Sequence, residues 1–368
     1  MEAPAKTITN SDPAVLSPRR LFVRRFFRHK LAVASVGVLS VLYLVAIFAE
    51  FVSVNDPNAY HIDYAYAPPT PITWSWSDGL HATALVKHVD PVTLQRTYQA
   101  DAESTLPVRL LVASEPYYLA GFIPMKHRLL GTSSDAPLLV LGADKYGRDV
   151  FSRIVVGSRI SLSIGLVGVA LTFVLGISIG GLSGYAGGRI DTFIQRVIEI
   201  VSALPQLPLW LALAAVFPPE WSSVSVFFAI TVALSLLNWP PLARVVRGKI
   251  LALREEDYAV AARLLGMSHC RVLFRHLIPG FTSHLIVAVT LTIPVMILGE
   301  TSLSFLGLGL RPPVVSWGVM LQDCLDVKAV RFYPWLLSPV VFIVLAVLAF
   351  NFLGDGIRDA ADPHGEGA

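Results

Sequence analysis

Six stretches of the chain are apolar for about 20 residues or more, the length a helix needs to cross roughly 30 Å of hydrocarbon at about 1.5 Å per residue. They run at about 31–53, 159–183, 193–216, 224–243, 284–309 and 335–354. The third is interrupted by Arg196, Glu199, Pro205 and Pro208, and the fifth holds Pro294 and several glycines. Helices in a bilayer tolerate such breaks where neighbouring helices satisfy the freed backbone groups. The first run, Leu31 to Val54, is longer than the roughly 7–15 residues of a signal peptide's apolar region, so it reads as a retained span.

The polar segments set the orientation. Residues 18–30, PRRLFVRRFFRHK, carry six Lys and Arg between Leu, Val and Phe, and the loop 244–275 carries seven: Arg244, Arg247, Lys249, Arg254, Arg263, Arg271 and Arg275. Segment 54–125 has three basic residues against seven acids, and 310–334 has three basic residues. Basic loops stay in the cytoplasm, so six spans with both termini inside satisfy all four segments. The basic stretch before span one reads as an anchor on anionic lipid rather than a nucleic-acid site. The outer segment, about 54–158, is too long for a simple connection. With Trp74, Trp76, Tyr60, Tyr64, Tyr66 and Tyr98 it suits a small subdomain whose secondary structure the pattern does not specify.

Composition agrees with this pattern. Of the 368 residues 54% are hydrophobic and 15% charged, with mean hydropathy +0.62, against about 25% charged in soluble domains. The net charge of +3 decides little. Cys270 and Cys324 flank a span and fall on opposite faces, which argues against a bridge. No phosphate-loop motif, HExxH or GxSxG occurs, so the chain lacks those routes to ATP binding and hydrolysis. His61, Asp63, His81, His88 and Asp90 are scattered through the outer segment without metal or catalytic spacing, and His269, His276 and His284 read as interfacial.

Four stretches carry candidate chemistry. Arg254–Gly280, REEDYAVAARLLGMSHCRVLFRHLIPG, reads as a helix, a break at Gly266 and a second helix ending before Pro279. Glu255, Glu256 and Asp257 suit the positive end of the first helix, and Ala259, Ala261 and Ala262 let another surface approach closely. Ahead of span two, Asp144, Lys145, Arg148 and Asp149 read either as a solvated helix start capped by Asp144 or as part of an outer gate or docking face. Glu300, in an apolar stretch of span five, is costly in a membrane and marks a structural or gate position. Glu199 reads as an interfacial charge paired with Arg196 one turn away. Gly176, Gly180, Gly181 and Gly184 have the spacing of close helix packing.

The 254–280 segment resembles the signature loop of ABC-importer permeases, in which two alanines, a glycine four residues on and a later hydrophobic-Pro pair recur. Here these are Ala261, Ala262, Gly266, Ile278 and Pro279; the family's leading glutamate falls on Val260. LGADKYGRDVFSRIVVGSRISL (Leu141 to Leu162), GETSLSFLGLG (Gly299 to Gly309) and NFLGDGIRDAADP (Asn351 to Pro363) are similar to the dipeptide/oligopeptide/nickel branch, in its C-type subunit with a long loop after the first span. The likeness covers about 140–363 and the basic first-span region, while the 54–125 insert is longer than in typical members.

The resemblance implies an all-α integral membrane fold, a type I importer permease with six transmembrane helices and an extracytoplasmic insert. Its parts would be a cytoplasmic segment (1–30), a first helix (31–53), the insert and outer-gate region (54–158), a five-helix core (159–354) with a coupling loop at 254–280, and a cytoplasmic tail (355–368). It implies ATPase docking by Asp257, Tyr258, Ala261, Ala262, Arg263, Gly266 and Pro279, a pathway or gate at Glu300, Ser302 and Ser304, and an outer gate or binding-protein docking face at Asp144, Lys145, Arg148 and Asp149. The partners would be a second permease, two cytoplasmic ATPases carrying ATP and Mg, and an extracytoplasmic binding protein, in a bacterial inner membrane. This chain itself would hold no cofactor, and the solute would be a peptide, nickel chelate, peptide conjugate or glycan. The rival readings are an ion-gradient transporter, which calls for paired mid-span charges or repeats, and a membrane enzyme with its site in the insert.

Overall fold

A computed structural model describes residues 17–76, 79–89, 91–92, 96–132, 136–218 and 220–361. The polar N-terminal residues 1–16, Asp90, and the Asp362–Ala368 end with the last two residues of the fourth motif lie outside the described residues.

Among the described residues five helices are long and apolar enough to cross a membrane: α2 (Lys30–Ile47), α4 (Val150–Ala186), α7 (Ser223–Leu253), the stretch His269–Phe305 that ends in α10 (Thr282–Phe305), and the stretch Pro334–Ala361 that holds α13 (Ser338–Ala361). The third expected span is a pair, α5 (Gly188–Ala203) and α6 (Gln206–Ala215), bent by 86°. Pro205 is the cause: it has no N–H to give the helix, and it pushes Leu204 into extended backbone at ψ 135°. The pair still completes a crossing. Arg254, at the end of α7, donates to the carbonyls of Gly184 and Tyr185 at the end of α4, at 3.0 and 3.4 Å. The start of α7 lies about 46 Å away, at 31 residues of helical rise, so the chain between α4 and α7 must return across the bundle.

The two faces sort the remaining ends. Arg159, early in α4, bonds the carbonyls of Ala46 and Ile47 at the end of α2. The start of α2 therefore lies on the other face, where His29 stands 3.6 Å from Asp359 near the end of α13. Both described termini share that face with the 254–280 loop. There the helix α1 (Pro18–Arg28) carries the basic stretch. At 37 residues, α4 is about 55 Å long. Its first turns, in the 150–158 range, thus project beyond a roughly 30 Å hydrocarbon layer on the insert face.

Glycines set the closest helix packing. A Cβ on Gly176 would stand 2.7 Å from Leu242, one on Gly184 would stand 2.8 Å from the Arg247 carbonyl, and one on Gly180 would strike the Ala243 carbonyl. The backbones of α4 and α7 can touch only because those side chains are absent.

The insert, whose structure the pattern left open, is a four-stranded antiparallel sheet in the order β1 (Ile72–Ser75), β2 (Gly79–Val89), β3 (Arg96–Leu119), β4 (Ile123–Thr132). The long β3 pairs with β2 from Arg96 to Pro107 and with β4 from Val108 to Leu119. Short helix α3 (Ala49–Val52) joins span one to the insert. Arg128 of β4 donates to the carbonyls of Ser53 and Asn55 at 3.3 and 2.5 Å, and Tyr98 of β3 donates to that of Ala65 at 2.7 Å.

Candidate functional site

The segment after α7 forms a knob. Helix α8 (Asp257–Leu264) buries Ala259 and Ala262 against Val246 and Ile250 of α7, Ile177 of α4, and Val272, Leu273 and Leu277. Small side chains on that face let α8 lie close across the ends of α4 and α7. The helix stops in a glycine-capped turn. Gly266 has φ +78°, its N–H bonds the Arg263 carbonyl at 3.0 Å, and the Met267 N–H bonds that of Ala262 at 3.2 Å. The second helix does not end before Pro279 as expected. After α9 (His269–Val272) it widens into a π turn at Leu273–Leu277, tightens into a 3-10 turn at Ile278–Phe281 and continues into α10 as one stretch, because Pro279 enters at the first turn of that short 3-10 segment, where a missing N–H costs little.

Asp257, Tyr258, Ala261, Arg263, Gly266 and Pro279 are all exposed, and Ala262 is buried beneath them. Sequence reasoning missed the apex. Leu264 and Leu265 are 83% and 84% exposed, two leucines held in water at the tip of a polar-faced loop. The signal was available as two consecutive leucines immediately before the breaking glycine.

A rigid mount surrounds the knob. Asp191 of α5 takes Arg247 of α7 in a two-point grip at 2.5 and 2.6 Å, and also accepts from Ser183 of α4. Arg263 donates to the Arg254 carbonyl at 2.9 Å, tying α8 back to the end of α7.

At the other face, Asp144, Lys145, Arg148 and Asp149 come together, but the expected solvated helix start is wrong. Asp144, Arg148 and Asp149 are buried, and the cap of α4 is Asp149, which accepts from the N–H of Phe151 and Ser152 at 3.2 Å each. Asp144 instead folds the turn before it, accepting from the N–H of Tyr146 and Arg148 at 2.9 and 3.0 Å and from Arg148 Nε at 2.7 Å. Lys145 reaches out to Asp323 at 2.9 Å. Burial weakens the Lys145 ammonium, but its bond to Asp323 outweighs that and leaves its pKa raised. Arg148 also lies over the rings of Tyr60 and Tyr146, at 5.5 and 4.7 Å. The result is a shallow charged cleft shared with Arg153 and Gln322.

Glu300 and Ser304 meet and Ser302 stands apart. Glu300 is fully buried, and one carboxylate oxygen accepts from Ser304 at 2.8 Å and from Ser316 at 2.7 Å. Ser316 starts α11 (Trp317–Met320), whose Trp317 is buried and donates to the Ile154 carbonyl of α4 at 3.0 Å. Glu300 thus pins the segment after span five to the bundle. Ser302 donates to the Leu298 carbonyl in its own helix at 2.7 Å. Glu199 pairs with Arg196 at 2.7 Å, as its spacing predicts.

Among the described residues no three His, Cys, Asp or Glu side chains group as a metal site. In the insert, Asp63 pairs with Lys87 at 2.7 Å and His81 bonds Thr73 at 3.0 Å.

Comparison with known proteins agrees with this architecture. Residues 176–364, just over half of the chain, match the family described as binding-protein-dependent transport system inner membrane component. Residues 17–69 match the N-terminal TM domain of oligopeptide transport permease C. The chain is 40% identical to the oligopeptide transport system permease protein OppC of Bacillus subtilis, over 60% of this chain and 70% of that one. It is 40% identical to the dipeptide transport system permease protein DppC of the same organism, over 60% and 68%. The glutathione transport system permease protein GsiD of Pectobacterium atrosepticum is 39% identical, over 61% and 72%. A multi-pass bundle that falls within that match from the last turns of α4 through α13, preceded by a separately matching first span, belongs to the binding-protein-dependent inner membrane transport family and is the permease subunit of an ABC importer.

Proposed function

We propose that this permease forms half of an alternating-access pathway for peptides or related solutes, driven by ATPases that dock on the α8 knob. The observation that carries the reading is the pair Leu264 and Leu265, 83% and 84% exposed at the tip of a helix whose other face is seated in the bundle. Burying a leucine is worth about 1.5–3 kcal/mol, so two at an apex suit insertion into a partner's groove. Tyr258, Ala261, Arg263 and Gly266 surround them and complete the docking face, with Asp257 and Pro279 at its margins.

The basic residues between 244 and 275 support a cytoplasmic position for this face, and the described ends of the chain go with it. The insert and the Asp144–Asp149 turn then face outward. There the cleft around Lys145, Arg148 and Asp323 suits a binding protein or an outer gate. In this mechanism ATP closes the ATPase pair and moves α8. Because Ala259 and Ala262 are packed against α4 and α7, and Asp191 binds Arg247, the motion reaches α4, α5 and α7 as one body. ATP and Mg reside on the ATPases, a second permease completes the pathway, and this chain supplies lever and wall. Glu300, holding Ser304 and Ser316, stiffens the outer end of the fifth span. The peptide class follows the relatives, which are an oligopeptide, a dipeptide and a glutathione permease.

The test is mild-detergent purification of the tagged chain from its native membrane, with mass spectrometry of what accompanies it. A second permease and phosphate-loop ATPases are expected, and ATPase recovery should fall sharply for a Leu264→Asp/Leu265→Asp variant that still inserts and keeps the second permease. Recovery of the chain alone, repeated after crosslinking in intact cells, would overturn the docking assignment.

A further inference from the structure

The β3–β4 hairpin ends in an apolar tip beside the end of span one. From Tyr117 to Met125 the sequence YYLAGFIPM holds no charged residue, and Glu115 and Lys126 flank it. Leu119 pairs with Ile123 across a tight turn, with Ala120 and Gly121 at φ 51° and 84°. The tip is fixed in height by span one. The Ala120 N–H donates to Glu50 at 3.3 Å, and Glu50 is held by Arg159, which also bonds the carbonyls of Ala46 and Ile47 in the last turn of α2. Leu119 is buried, whereas Tyr118 and Phe122 are 64% and 71% exposed. The tip's anchor, Glu50, follows closely on Leu44, Ile47 and Phe48, exposed apolar side chains at the end of the span.

Exposed rings also stand at Trp74 and Trp76 in β1 and just after it, but those at 118 and 122 sit on the hairpin that is held to the end of span one. Aromatic side chains are enriched where a membrane meets water, and a nine-residue uncharged tip bordered by an acid and a base matches that layer. We infer that the tip of the β3–β4 hairpin, through Tyr118 and Phe122, inserts into the interfacial layer of the lipid on the insert face, continuing the lipid-facing surface of α2. The insert is then fastened at two places, by its chain connections to the bundle and by its own tip in lipid. This holds whatever solute the importer carries, since it rests on the membrane span alone.

The experiment uses spin labels on the purified importer complex in phosphatidylcholine–phosphatidylglycerol vesicles. Cysteines replace Phe122, Tyr118, Ile47 or Trp76 one at a time in a Cys270→Ser/Cys324→Ser chain. Trp76, 98% exposed at the end of β1, reads water, and Ile47 reads lipid. Collision with oxygen relative to a water-soluble nickel chelate should be several-fold higher at 122 and 118 than at 76, and close to that at 47. A ratio at 122 equal to that at 76 would put the tip in water and overturn the inference. Exclusion of both colliders at 122 would show another protein chain covering it and would overturn it equally.

Discussion

Arg159 grips Glu50 through both terminal nitrogens, at 2.6 and 2.8 Å, across 109 residues of sequence. The same guanidinium donates to the carbonyls of Ala46 and Ile47, so one side chain closes the end of α2 and fastens it to α4. Glu50 lies beyond the end of α2, at the joint where span, core and insert meet.

This pair has a pH signature. Burial raises the Glu50 pKa, but the bond to Arg159 and its charge outweigh that, so the carboxyl sits below its usual range. A group with a depressed folded pKa stabilises fully above its unfolded value and loses that contribution as pH falls through the folded one. Glu50→Gln should therefore lower stability by about 1–3 kcal/mol at neutral pH. The difference from the unaltered chain should shrink only below about pH 4.3, the ordinary glutamate value. Thermal unfolding in detergent across pH reads both, and a constant difference down to strong acid would contradict the assignment.

The cap of α8 depends on backbone conformation, not space. No heavy atom lies within 4 Å of a Cβ built on Gly266, yet its φ is +78°. Gly266→Ala should cost about 1 kcal/mol locally, and Gly266→Asn less, since Asn tolerates this region. Hydrogen exchange of the 262–267 amides should rank glycine, asparagine, alanine in order of protection. Gly266→Trp should insert normally and lose solute-stimulated ATP hydrolysis; normal hydrolysis in that variant would remove the docking role.

Helix contact through absent side chains predicts a sharp contrast. Gly180→Val would drive a side chain into the Ala243 carbonyl and should cost about 1–3 kcal/mol or more. Gly37→Val on α2, where nothing lies within 4 Å, should leave the unfolding temperature almost unchanged. Equal effects in the two variants would mean that α4 and α7 are not packed backbone to backbone.

Glu300 separates a structural from a solute-binding role. Gln keeps an oxygen able to accept from Ser304 and Ser316, so Glu300→Gln should assemble and transport nearly as the unaltered chain does. Glu300→Ala leaves two buried hydroxyls without their acceptor and should destabilise by about 1–3 kcal/mol. Loss of transport in the Gln variant at unchanged stability would place the carboxylate's charge in the pathway.

The spans were legible because hydrocarbon imposes a length and a composition that no other environment demands together. The glycine break at 266 and the Arg196–Glu199 pair were equally local and equally readable. The insert's sheet was not, since its strands are partly exposed on both sides and show no clean alternation. Asp144 was read as the cap although Asp149, five residues later, holds that place, because spacing alone cannot say where a helix starts once a folded turn precedes it. Leu264 and Leu265 gained their meaning only from the structure, which showed which face of α8 was occupied. The amino-acid sequence by itself determined which stretches are long and apolar enough to cross a membrane and which polar segments separate them, since each span answers to its own residues and the lipid. The tertiary structure alone decided that Glu50 meets Arg159, that Glu300 meets Ser316 and that the hairpin tip meets Glu50, because each of these depends on groups far apart in sequence arriving at one point in space.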